Sequence, residues 1–178
     1  IGAFDGTVQP AMRLNTKSHD NVAIGAGALA AHNLTDNSEG GNVAVGYSAG
    51  LIVSTGIQNT LIGGFAGDLI TGGSQNTLVG YNAGGATTGN YNAFLGRSSG
   101  SAMTTGSKNT ILGGYNGNQG GLDIRASSNY IVLSDGDGNP RVVVNSSGNV
   151  GIGTTAPEAE LHLAKSTSGG RGGTLVIE

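Results

Sequence analysis

Between Asn21 and Gly117 short apolar runs return at a fixed interval, each opened by an asparagine and closed by a glycine. Aligned on the asparagine, the chain reads NVAIGAGAL from Asn21, NVAVGYSAG from Asn42, NTLIGGFAG from Asn59, NTLVGYNAG from Asn76, NAFLGRSSG from Asn92 and NTILGGYNG from Asn109. The starts lie 21, 17, 17, 16 and 17 residues apart, and such a period is the mark of a repeat architecture. Three consecutive apolar or β-branched residues after each Asn predict a short strand. The glycine that follows (Gly25, Gly46, Gly63, Gly80, Gly96, Gly113) ends the strand at a backbone geometry awkward for a side chain. The second glycine of the unit (Gly50, Gly67, Gly84, Gly100, Gly117) and the Thr-Gly pairs at Gly56, Gly72, Gly89 and Gly106 predict further turns. Each unit is therefore expected to hold two short strands and two tight corners, too little to bury anything alone. Stacked at ~4.8 Å per layer, six coils form an all-β solenoid on the order of 29 Å long, with backbone hydrogen bonds running between coils.

The strands do not alternate apolar with polar. Successive strand residues face opposite sides, so Leu61, Leu78, Phe94 and Ile111 make one stripe and Ile62, Val79, Leu95 and Leu112 the other. Continuous apolar runs belong to strands covered on both faces. One face is the inside of the coil. The other needs cover from outside, and a symmetry mate is the simplest cover. The pattern does not say which stripe points inward or how many copies join. Burying one Leu-sized side chain contributes about 1.5–3 kcal/mol, so a shared stripe of four weighs heavily in the stability of the column. The asparagines Asn42, Asn59, Asn76, Asn92 and Asn109 predict a ladder of stacked amides at a corner. A sugar-binding row is the alternative, disfavoured because Asn is a preferred corner residue on its own account.

The repeats divide the chain. A connector is expected over 1–20, the solenoid over 21–128, and a different β segment over 129–165. Its β-prone runs, Tyr130–Leu133, Val142–Val144, Asn149–Ile152 and Glu160–Leu163, are separated by turn clusters and predict hairpins or an intertwined β-prism. A linker and the start of a further strand are expected over 166–178.

Composition agrees with thin layers. Glycine supplies 35 of 178 residues, aromatics only 4% and Trp none, which leaves little to build one central core. So much glycine approaches disordered composition, but disorder has no reason to keep register. A formal charge of −3 argues against nucleic acid or an anionic membrane as partner. The apolar runs are too short for a membrane-spanning helix. Cysteine is absent, which excludes disulfides and thiolate metal sites. The chain opens on Ile1 and is expected to be a piece of a longer protein.

NTLVGYNAG with TGSKN-type linkers resembles the repeats in the heads of trimeric autotransporter adhesins, which form a left-handed parallel β-roll in a trimer. It is more similar still to repeats of bacteriophage tail fibres and tailspikes. SSGNVGIGTTAPEAELHL at Ser146–Leu163 looks like a fibre segment that often precedes a C-terminal intramolecular chaperone of the endosialidase type, cleaved after trimerisation. The resemblance covers residues 21–163. The units of 16–17 residues are longer than the adhesin repeat, and no heptad stalk is visible; both favour the fibre. The resemblance implies a homotrimeric structural shaft of a virion tail appendage, supporting host attachment, with itself and adjoining fibre segments as partners. The alternative is an adhesion module on a bacterial surface that binds host glycan or matrix protein directly.

Motifs for chemistry are weak. Asp135-Gly-Asp137-Gly-Asn139 looks like half a calcium loop, but the position that needs a bidentate Glu is Ser146; a hairpin turn is the simpler reading. Neither a phosphate-binding loop nor a dinucleotide motif follows the glycines, and no cofactor is expected. His162 is expected to pack, and His19 and His32 to lie in solvated loops. With 11 acidic residues, mostly in turns, no carboxylate pair is nominated for depolymerase chemistry, and the three histidines suggest no triad. The chain reads as a non-enzyme. Tyr47, Tyr81 and Arg97, with Phe65 and Tyr115 one step later, are expected at exposed variable positions. Packing at the corner or interface is the favoured role, and Tyr47, Tyr81 and Arg97 are the place for a glycan if one binds. A threonine row (Thr60, Thr77, Thr110) suggests ice binding only faintly, because Val22, Val43 and Ala93 interrupt it.

Overall fold

The computed structural model describes residues 10–13, 19–34 and 39–164. The expected linker and strand start over 166–178 lie outside them, as do residues 1–9 and 14–18 of the expected connector. Among the described residues the chain is all-β and contains no helix. The repeats supply β1 (Val22–Ile24), β2 (Val43–Val45), β3 (Thr60–Ile62), β4 (Thr77–Val79), β5 (Ala93–Leu95) and β6 (Thr110–Leu112). Then come β7 (Asn118–Gln119), β8 (Leu122–Asp123), β9 (Ile131–Ser134), β10 (Pro140–Val144), β11 (Val150–Ile152) and β12 (Leu161–Leu163). The first six stack in parallel as a β-solenoid, each displaced from the next by one repeat, so that Thr60, Leu61 and Ile62 face Thr77, Leu78 and Val79.

Each coil contributes one strand, not two. The remainder of the turn also carries backbone hydrogen bonds from coil to coil, such as Gly50 N–H to Ala66 O (2.9 Å), Gly67 N–H to Ala83 O (2.9 Å) and Leu69 N–H to Gly85 O (2.8 Å). It cannot be a strand, because left-handed residues such as Phe65 (φ 59°) and Gly67 (φ 58°) interrupt any extended run.

The stack extends beyond the repeats at both ends. Met12 N–H donates to Ala28 O at 2.9 Å, repeating the bond of Leu29 to Ala49 and of Gly50 to Ala66 one coil earlier. At the far end β9 is a seventh parallel rung, with Ile111 opposite Val132. Only then does direction change: β10 lies antiparallel to β9 and to β11, and β12 is parallel to β11. The same ten-stranded sheet therefore runs from β1 to β12 through the 129–165 segment, with β7 and β8 paired apart from it.

Three inner rows make the core. The middle residues of the strands, Ala44, Leu61, Leu78, Phe94 and Ile111, continue into Val132 and Val143, all buried. Opposite lie the small residues Ala28, Ala49, Ala66, Ala83 and Ser99, and a third row comprises His32, Val53, Ile70, Thr87 and Met103. Leu61, Leu78, Phe94 and Ile111 are thus the inward stripe.

Two glycine rows make this thinness possible. A Cβ on Gly46 (φ 140°) would stand 2.5 Å from the carbonyl oxygen of Gly63 in the next coil, so coils could not close to sheet distance. A Cβ on Gly84 would stand 2.6 Å from Leu78 Cδ1. Coil one has Leu29 at that second place, where the inward strand residues Ala23 and Ala44 are small; bulk has moved from one wall to the other.

Candidate functional site: two ladders and an apolar outer face

The ladder asparagines lie inside the coil corner, where an unpartnered amide would be costly. Asn59 N–H donates to Asn42 Oδ1 (2.9 Å), Asn76 N–H to Asn59 Oδ1 (3.0 Å), Asn92 N–H to Asn76 Oδ1 (2.9 Å) and Asn109 N–H to Asn92 Oδ1 (3.0 Å). Each Nδ2 donates to a carbonyl near the end of its own coil, as Asn59 does to Gly73 (2.9 Å) and Asn76 to Gly89 (3.0 Å). The chain of bonds begins at Asn21 Oδ1, which accepts from Asn42 N–H, and ends where Tyr130 N–H meets Asn109 Oδ1. Enclosed and satisfied, these amides present nothing to a ligand.

A second ladder escapes the sequence reading. Ile57 N–H donates to Ser74 Oγ (3.1 Å), Ser74 N–H to Asn90 Oδ1 (2.8 Å), Asn90 N–H to Ser107 Oγ (3.1 Å) and Ser107 N–H to Ser128 Oγ (3.0 Å). Each of these residues stands two places before the opening residue of the next unit, within stretches taken as linkers. The signal available was that recurring offset of Ser and Asn.

One row of the outer sheet face is aliphatic from end to end. Ile62, Val79, Leu95 and Leu112 point away from the core; Leu95 is 51% and Leu112 46% exposed, whereas Leu61 is fully buried. Strand register joins them into one row. It starts at Ile24 and Val45 and continues beyond Leu112 through Leu133, Val142, Ile152 and Leu163. The neighbouring outward row is mixed: Val22, Val43, Thr60, Thr77, Ala93 and Thr110, then Ile131, Val144, Val150 and Leu161. Neither row contains a charged residue.

At the corner beyond this face Tyr47, Phe65 and Tyr81 from consecutive coils pack edge to face, with ring centroids 5.2 and 5.6 Å apart. Such pairs contribute about 0.5–1.5 kcal/mol beyond burial. The tyrosines remain half exposed, and Arg97 is exposed one rung further on. Tyr115 departs from the expected exposure and is buried. Gly100 N–H bonds to its carbonyl as Gly84 N–H bonds to that of Ser99. The sixth coil is therefore one residue shorter here, and Tyr115 takes the inward place of the small row, its hydroxyl donating to Leu122 O (3.0 Å).

The Asp135 loop is filled by its own chain. Oδ1 accepts from the N–H of Asp137 (3.1 Å) and Asn139 (2.8 Å), while Oδ2 pairs with the Arg141 guanidinium. The Asn139 N–H first, and Arg141 next, hold the Asp135 pKa down to about 2. The loop from Asn145 to Asn149 repeats the design with a neutral amide: Asn145 Oδ1 accepts from Ser147 and Asn149 N–H, both at 3.0 Å. Among the described residues no group of three or more His, Cys, Asp or Glu could hold a metal ion.

His32 also departs from expectation, being buried and not solvated. It stands eleven residues after Asn21, the offset that places Val53, Ile70, Thr87 and Met103 in the third inner row. Its Nε2 lies 3.4 Å from Asn42 Nδ2, and burial lowers its pKa. His19 is exposed beside Asp20, and His162 is half-buried in β12 with Glu158 N–H donating to its Nδ1. No family model, curated protein or solved structure matches the chain.

Proposed function

We propose that this chain is a shaft segment of a homotrimeric fibre of the phage tail-fibre or tailspike type, non-enzymatic and carried on a virion tail appendage. Its coils form a left-handed β-roll, and its work is mechanical: it holds adjoining segments and the host-attachment apparatus at a distance. The observation that carries this reading is the unbroken aliphatic row along the outer face of the sheet. On a solitary solenoid, solvated aliphatics in every rung would be a liability; between copies they are the glue. The number three and the phage assignment rest on the resemblance of NTLVGYNAG and SSGNVGIGTTAPEAELHL to fibre repeats. Sedimentation equilibrium at micromolar concentration tests the assembly. A mass three times that of the chain is expected, and a stable monomer overturns the reading.

A second reading, direct adhesion, is favoured by the half-exposed Tyr47–Phe65–Tyr81 strip with Arg97 beside it, since aromatic faces stack on sugar rings. Glycan-array binding that disappears in Tyr47→Ala/Tyr81→Ala supports it; an empty array leaves the shaft alone.

A further inference from the structure

Building on the self-associating shaft just proposed, we infer that one seam, the outward row from Ile24 to Leu163, lies along the axis shared by the copies, and that the C-terminal strands β10–β12 belong to that seam as fully as the coils do. The occupant of the face is a second copy of this chain, side by side and pointing the same way.

Continuity is the first reason. Within the parallel coils, apolar residues on both faces accord with the usual habit of parallel strands. At the β9–β10 and β10–β11 pairings, where the sheet turns antiparallel, an outer face left to solvent would be expected to become polar. It does not: Val142, Ile152 and Leu163 extend the row in strict register. One selective demand therefore acts on both halves of the sheet.

The match of length is the second. Ten strands at ~4.8 Å make a strip about 43 Å long, and two outward residues ~6.8 Å apart give a flat footprint of about 300 Å² before side-chain relief is added. A strip of that size matches the largest apolar patch of an ordinary monomer, a patch that is often functional. A partner must offer an aliphatic strip of the same length and carry no demand for charge, since the strip has none. A copy related by rotation about an axis parallel to the stack meets both conditions, because every rung then faces its own equivalent.

The difference between the two outward rows is the third. The row from Ile24 to Leu163 is Val, Ile or Leu at every rung, whereas its neighbour carries Thr60, Thr77, Ala93 and Thr110. The wholly aliphatic row suits the dry centre, and the threonines suit its margin, where a hydroxyl can reach water.

The chain has no cysteine, so single-cysteine variants report the seam cleanly. Leu95→Cys, Leu112→Cys and Ile152→Cys are to be oxidised as assembled protein, beside Thr77→Cys on the mixed row and Thr71→Cys and Lys108→Cys on exposed corners. A disulfide requires Cα atoms within about 7 Å. The first three are expected to give covalent dimers from about two of every three chains, the limit for three thiols around one axis. The corner variants are expected to stay uncrosslinked. Assembled trimers that bond at Thr77→Cys or at a corner, and not at Leu95→Cys, Leu112→Cys or Ile152→Cys, overturn the seam while leaving the shaft reading intact. Bonding at Leu95→Cys without Ile152→Cys removes the C-terminal strands from it. A parent chain that sediments as a monomer sinks both inferences, and a dimer bonded along the row upholds the seam and overturns the number three.

Discussion

An asparagine whose amide is bonded on both sides leaves polar groups stranded when the amide is removed. In Asn76→Ala the Asn92 N–H and the Gly89 carbonyl lose their side-chain partner inside the corner, while Asn59 Oδ1 keeps the Asn76 N–H. At about 1–3 kcal/mol for each buried group left unsatisfied, with relaxation offsetting part, a loss of about 3 kcal/mol is expected in denaturant titration; a change under 0.5 kcal/mol would show that the ladder carries no weight. The loop residues make a matched pair for pH. Asp135 has a folded pKa of about 2, below its ordinary 3.8, so its contribution is complete above pH 4 and disappears as pH falls from about 4 to 2. Amide exchange should therefore find Asn139 N–H protected at pH 5 and released near pH 2, whereas Asn149 N–H, held by the untitratable Asn145, keeps its protection throughout. Parallel loss at both loops would assign the change to the sheet, not to the carboxylate. At this scale the recurring Asn was legible because it opens every unit. His32 and Tyr115 were not, because one is a polar residue at an apolar offset and the other sits at a shifted offset; the side each faces is decided by three-dimensional register.

For the single coil, the sequence revealed the strand and both glycine rows but suggested one strand too many. Alternating left-handed residues make the second side a run of turns that still bonds to its neighbours, and composition alone does not distinguish that from a strand. The two inner walls are complementary in volume. In the fifth coil a Cβ on Gly100 (φ 62°) would fall on the Phe94 ring. Gly100→Ala is expected to cost roughly 2–4 kcal/mol through overpacking and a left-handed side chain. Phe94→Ala/Gly100→Leu reproduces the coil-one combination of Ala23 with Leu29, so its loss should be smaller than the sum of the two single losses. Strict additivity in that double-mutant cycle would deny the coupling.

Over the whole molecule the boundary expected at residue 129 falls before a seventh parallel rung, and strand direction changes, within one sheet, only between β9 and β10. The residues that signal it, Asp135 to Pro140, mark the reversal correctly, but nothing in their composition says that Val132 and Val143 remain in the same core. The outward stripe was legible as apolar; its passage into β12 was not, since it depends on pairings between segments of unrelated sequence. A stack in which each layer touches only its neighbours opens from its ends. Amide exchange should be slowest in β3–β5 and faster in β1 and β12; uniform rates would mean that the column opens as one unit.

Because Asn76 repeats the bonding of Asn59, and the outward Val79 that of Ile62, one whole coil is interchangeable with none. Excising residues 59–75 would bring Gln58 directly before Asn76 and let Asn42 pair with its new neighbour. The rod would shorten by a single quantum of ~4.8 Å, with its cross-section unchanged. Length in such a column is set digitally, by how many units the sequence spells out, and the gain or loss of one unit alters it while the strand pairing and asparagine bonding from coil to coil are kept.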